Sequence, residues 1–127
     1  MKIAVEIKPL AEMRYPTVGD YYYENEVLKI DIAETGNPFY NYMVLIHELI
    51  ELSLLEKRGV PFQEIDAFDL LFEKEREDNY HDLDEEPGFD PRAPYVREHT
   101  LATAVEMLMC AHAGEHWNVY SETIITL

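Results

Sequence analysis

The sequence predicts an α+β fold in one domain, a small antiparallel sheet from the N-terminal third packed on three main helices. Three observations carry that expectation. The chain has 127 residues, which suits one hydrophobic core and is too few for two. Between Lys2 and Ile32 apolar and polar residues alternate in short runs, the period of strands. From Phe39 onward the runs lengthen and take helical spacing.

The elements follow in order. Ile3, Val5 and Ile7 alternate with Lys2, Ala4, Glu6 and Lys8, as in a half-buried strand that Pro9 stops. The run YYYENEVLKIDI reads as a hairpin, Tyr21–Tyr23 against Val27–Ile32, with Leu28, Ile30 and Ile32 on one face. Gly36-Asn37-Pro38 breaks the pattern. Phe39 to Leu55 is apolar nearly all round and is read as the central helix, ended by Lys57, Arg58 and Gly59. Pro61 opens a second helix, with Phe62, Ile65, Phe68, Leu71 and Phe72 as its core stripe and Glu73 to Asp78 solvated. Tyr80 to Pro94 is a long loop of the kind that borders a site. A third helix runs from Tyr95 to Ala113, with Leu101, Ala104, Val105 and Leu108 on one face and Gly114 as its cap. Trp117, Tyr120 and Ile124 pack a short last helix.

Composition narrows the function. Ten Lys+Arg against 26 Asp+Glu give a formal charge of −16, carried by a chain that is 47% hydrophobic and therefore able to fold. That charge disfavours direct nucleic-acid binding and docking on anionic lipid. The one cysteine excludes an internal disulfide and suits a reducing compartment. No apolar run approaches the roughly 18 residues of a membrane span. The opening MKIAVEIKPL is interrupted by charge and does not read as a secretory signal. The expectation is a soluble cytoplasmic domain. Three causes can underlie the acidity: solubility, mimicry of a polyanion, or carboxylates gathered at a metal.

The residues with chemical potential lie in the apolar helices. His47-Glu48-Leu49-Ile50-Glu51 sits inside the most apolar helix, where a lone charge is costly unless paired or bound to metal. His47 and Glu51 are four apart and project from one face, about 40° apart around the axis. One imidazole nitrogen and one carboxylate oxygen can therefore reach the same cation. Glu48 is turned by about 100° and stands where a general base for a metal-bound water would stand. The third helix supplies a further ligand. His99 and Glu106 are seven apart and share a face opposite the stripe of Leu101, Ala104, Val105 and Leu108. His99 is expected to complete the set His47/Glu51/His99 around Zn²⁺ or another divalent ion, with Glu106 as orienting partner or fourth ligand.

Other candidates read as structural. His112 and His116 flank a helix end at Gly114, and His81 lies in an acidic surface loop. Asp66, Asp69 and Glu73 line one face of the second helix, which reads as solvated although it can offer oxygen ligands. Cys110 reads as a buried inert thiol.

The motif resembles the HExxH helix of zincin metallopeptidases, with Glu51 in the second-histidine position. The order of strand, hairpin with YPTVGDYYY, LIHELIEL helix, EEPGFDPRAPYVREHT and a helix ending in GEHW is similar to a family of small phage and bacterial proteins bearing HELxE and PYxxEH segments. The layout also looks like a minimal zincin. That likeness implies hydrolysis of a small peptide or protein substrate laid beside a strand. Two alternatives stay open. One is an acidic binding or inhibitor protein of phage type that mimics nucleic acid or blocks a basic partner. The other takes Glu48-x-x-Glu51 with Glu75-x-x-Asp78, a pattern similar to MazG-like nucleotide pyrophosphohydrolases, whose carboxylates hold Mg²⁺.

Overall fold

A computed structural model describes all 127 residues and has the α+β class, with a three-stranded sheet followed by four helices. The strands are β1 (Lys2–Lys8), β2 (Gly19–Glu24) and β3 (Val27–Ala33). The helices are α1 (Pro38–Arg58), α2 (Phe62–Glu77), α3 (Val96–Ala113) and the short α4 (Trp117–Ile125). No helix is long and apolar enough to cross a membrane.

β2 and β3 form the expected hairpin, with Tyr21 opposite Ile30 and Tyr23 opposite Leu28. Asn25 and Glu26 take φ of 50° and 65°, the left-handed pair that lets a two-residue turn follow the twist of its strands. The sheet is mixed rather than purely antiparallel. β1 lies on the other side of β3 and runs parallel to it, with Ile3 opposite Leu28 and Ile7 opposite Ile32. The hairpin fills one edge of β3, so β1 takes the other, and Pro9 to Val18 carries the chain across before it turns back. Alternation tells which side chains share a face and is silent on strand direction. α1 covers β2 and β3 but leaves β1 uncovered. Ile3, Val5 and Ile7 consequently stay exposed instead of half-buried.

Leu28, Ile30 and Ile32 are fully buried against Val44, Leu52 and Leu55 of α1 and Phe62, Ile65, Phe68 and Phe72 of α2. Each such side chain contributes roughly 1.5–3 kcal/mol on burial. Local signals set the helix ends. The Asn37 side chain accepts hydrogen bonds from the Phe39 and Tyr40 N–H groups, Pro38 occupies the first turn, and Gly59 ends α1 at φ 77°.

Two helical faces differ from expectation. Leu71 is exposed, because α2 turns its Phe68–Phe72 side inward. On α3 the expected stripe points outward: Leu101, Ala104 and Leu108 are exposed, while Glu98, Ala102, Glu106 and Cys110 are buried. Apolar residues surround this helix, so hydrophobicity alone does not choose its inner face. Partners choose it. Inside, Glu98 accepts from the Arg58 guanidinium at 2.7 Å, His99 reaches Glu51, and Glu106 meets His47 and Tyr120, satisfying groups that could not be buried alone.

Candidate metal centre

The side-by-side packing of α1 and α3 brings the candidate ligands together. His47 Nε2 and Glu51 Oε2 are 2.6 Å apart, His99 Nδ1 and Glu51 Oε2 2.7 Å, and His47 Nε2 and His99 Nδ1 3.0 Å. These three atoms form a nearly equilateral triangle. A tetrahedral ion bonded at about 2.0–2.1 Å spaces its ligand atoms about 3.4 Å apart, so the set fits zinc once these separations open by about 0.4–0.8 Å.

Every remaining polar atom of the triad has a partner of its own. Glu51 Oε1 accepts from the Tyr21 hydroxyl at 3.0 Å. His47 Nδ1 meets Glu106, whose other oxygen accepts from Tyr120. His99 Nε2 lies 3.4 Å from Glu86 Oε2. With Nδ1–H of His47 donating to Glu106 and Nε2–H of His99 donating to Glu86, the other nitrogen of each ring faces Glu51; in the metal-free chain those nitrogens carry protons toward its carboxylate, and a cation in the triangle would take the place of those protons. Glu106 touches the nitrogen of His47 that faces away from the triangle, a position for an orienting partner and not for a fourth ligand.

Two glycines hold the site close. A Cβ at Gly19 would come within 2.3 Å of Glu48 Oε1, and one at Gly88 within 2.3 Å of the His99 ring. The chain approaches the candidate base and the third candidate ligand as only glycine allows. Phe89 adds an edge-on contact to His99, ring centroids 4.6 Å apart. The loop bordering the site is held to α2: His81 bridges Glu75 and Glu85, and Arg92 bridges Glu75 and Asp90. His81 also stacks on Phe72, so it is a fastener of the loop and not a free surface group.

Glu48 is the exception to full partnering. It is only 8% exposed and lines a cleft of about 940 Å³ together with His47, Glu51, His99 and the loop from Leu83 to Pro91. No protein group hydrogen-bonds its carboxyl. Burial, with the neighbouring Glu51 charge added, pushes its pKa well above the usual carboxylate range. For Glu51 burial works upward, but the hydrogen bonds from His47 and His99 outweigh it and hold the group at about 2. Burial pulls His47 down, yet its bonds to Glu106 and Glu51 raise it well above the ordinary histidine value. The same opposition, with Glu51 and Glu86 as partners, leaves His99 at about 9.

Asp69 departs from the solvated reading. It accepts from the Tyr15 hydroxyl at 3.0 Å and the Tyr95 hydroxyl at 2.5 Å in the cleft wall, and burial lifts it to about 6. Asp66 pairs with Arg14 and Glu73 with Arg76. His112 and His116 are exposed and Cys110 is buried, as expected. Sequence reading missed Tyr21, Glu86, Gly88 and Tyr120. Strand alternation places Tyr21 on the face of Ile30, and a buried phenol needs an acceptor, so that residue carried a usable signal. Glu86 sits among several acids and carried none. No protein-family model, no curated protein and no solved structure matches the chain, and the chemistry of these side chains alone speaks for the function.

Proposed function

We propose that the chain is a metal-dependent hydrolase of zincin type, in which His47, Glu51 and His99 hold one Zn²⁺ or similar divalent ion. The observation that carries this reading is the convergence of these three ligand atoms on one point beside a buried carboxyl that no protein group hydrogen-bonds. Two imidazoles and one carboxylate are a common catalytic zinc set, and an ion bound there supplies a Lewis acid and acidified water. Glu48 exchanges the proton. Burial beside Glu51 raises the Glu48 pKa above the usual carboxylate range, and proton transfer between water and a leaving group needs a carboxyl that takes up a proton and returns it. Glu106 and Glu86 keep the two imidazoles turned so that one nitrogen of each faces the ion. β2 is an edge strand of the sheet and its Gly19–Tyr21 segment lines the cleft, so an extended peptide has a strand beside which to lie.

The pyrophosphohydrolase alternative needs Glu75 turned to an ion shared with Glu48 and Glu51. The two oxygens of Glu75 are instead engaged by Arg92 and His81, which argues against that use. Metal analysis of protein purified without chelator tests the proposal, with about one equivalent of Zn²⁺ or a similar ion expected. The His99→Ala variant should lose the ion, whereas Glu48→Gln should keep it and lose hydrolysis of an unfolded protein substrate. A chain that stays empty through Zn²⁺ titration refutes the reading. If its biological effect then survives His47→Ala and Glu48→Gln but not surface charge reversal, it is an acidic binding protein.

A further inference from the structure

The outward stripe of α3 is unexplained by the metal centre and continues onto α1. From Pro38 to Leu55 the acids of α1 are Glu48 and Glu51, and those of α3 are Glu98 and Glu106; all four are buried. In a chain of charge −16, the outer sides of these two helices carry no carboxylate between Pro38 and Leu55 or along α3. They carry hydrocarbon instead: Tyr42 is 61% exposed, Leu101 48% and Leu108 70%. The spacing is that of a helix-packing seam. Tyr42, Ile46, Leu49 and Ser53 recur at four, three and four residues, and so do Leu101, Val105, Leu108 and His112. The two helices pack side by side, and both seams lie away from the cleft side that holds His47, Glu51, His99 and Glu106.

We infer that this face is the docking surface for a second copy of the chain, α1 and α3 of one protomer against α1 and α3 of the other about a twofold axis. Charge selects the occupant. Two molecules of charge −16 repel one another wherever their acids meet, and the α1/α3 face lets them approach free of carboxylates. Anionic lipid is repelled by the same charge, and a basic partner is drawn to the acid-rich surfaces elsewhere. Size agrees: a stable interface needs roughly 800 Å² per partner, and two helices about 27 Å long lying about 10 Å apart present a face of that order.

Sedimentation equilibrium of the full chain between micromolar and 100 μM concentrations (on the order of ordinary weak-to-moderate dimers) is expected to give twice the chain mass. The variants L101D and L108D change side chains that are exposed in the single chain, so each should melt as the parent does once dissociated. Each should raise the dimer dissociation constant about 30-fold or more. L70D, on the exposed side of α2, should change nothing. A parent chain that is monomeric throughout, or a dimer indifferent to both α3 variants, overturns the inference. So does a dimer lost in V5K and kept in L108D, which would place the contact at the open edge of β1.

Discussion

The two sides of α1 meet opposite kinds of surface. Toward the sheet, Val44, Leu52 and Leu55 pack on Leu28, Ile30 and Ile32 with no polar atom required. Toward α3, directed hydrogen bonds join His47 to Glu106 and Glu51 to His99. The first side is what stability demands of a helix on a sheet. The second is a poor way to gain stability, since desolvating charged groups offsets most of their attraction. The contrast separates a side that packing alone explains from a side built on specific polar partners.

Four experiments break or sharpen that contrast, from the largest effect to the smallest. Ile30→Ala removes hydrocarbon from the dry side and should destabilise the chain by about 2–5 kcal/mol in denaturant titration, with metal stoichiometry unchanged; a loss of metal would show that the two sides are not separable. On the polar side, His47→Met, Glu51→Leu, His99→Leu and Glu106→Leu combined with Tyr21→Phe and Tyr120→Phe remove the network and its donors together. The metal-free protein should then hold its stability or gain about 1–4 kcal/mol while losing all metal. A large loss of stability would make the network a structural device.

The two smaller effects concern tuning. Glu106→Gln replaces the carboxylate behind His47 by an amide and should weaken Zn²⁺ about 10–100-fold, measured by chelator competition. Unchanged affinity would reduce Glu106 to a spacer between helices. The last effect is a pH linkage. His99 stands at about 9 in the folded metal-free chain, because Glu51 and Glu86 overcome the downward pull of burial. Its protonation therefore stabilises that form fully below about 6.5 and ceases to do so as pH rises through about 9. Zinc needs the unprotonated nitrogen, so the gap in melting temperature between loaded and metal-free protein should widen by about 4 °C or more from pH 6.5 to 9. A gap that narrows with pH would contradict the ligand assignment of His99.

Legibility differed by the kind of signal. The hairpin, α1 with its Asn37 and Gly59 ends, and the last helix around Tyr120 were all written locally, because periodicity and capping act within a few residues. Likewise, His47, Glu48 and Glu51 were conspicuous as polar groups in an apolar helix, and His99 followed from its alignment with Glu106. The parallel direction of β1, the outward turn of Leu101 and Leu108, and the approach of Glu86 and Gly88 to His99 had no local mark. Each depends on what a distant segment offers: a vacant edge of β3, a guanidinium from Arg58, a ring face on α3.

By itself, the sequence determined that four ionisable side chains, His47, Glu51, His99 and Glu106, sit in helices too apolar to leave them unpaired, because burying a lone charge costs more than a small domain can spare. Only the tertiary structure decided how they pair. It turned the polar side of α3 toward α1 and gave each outer nitrogen a carboxylate. It also left Glu48 alone beside the cleft, since hydrogen-bond satisfaction depends on the positions of partners far apart in the chain.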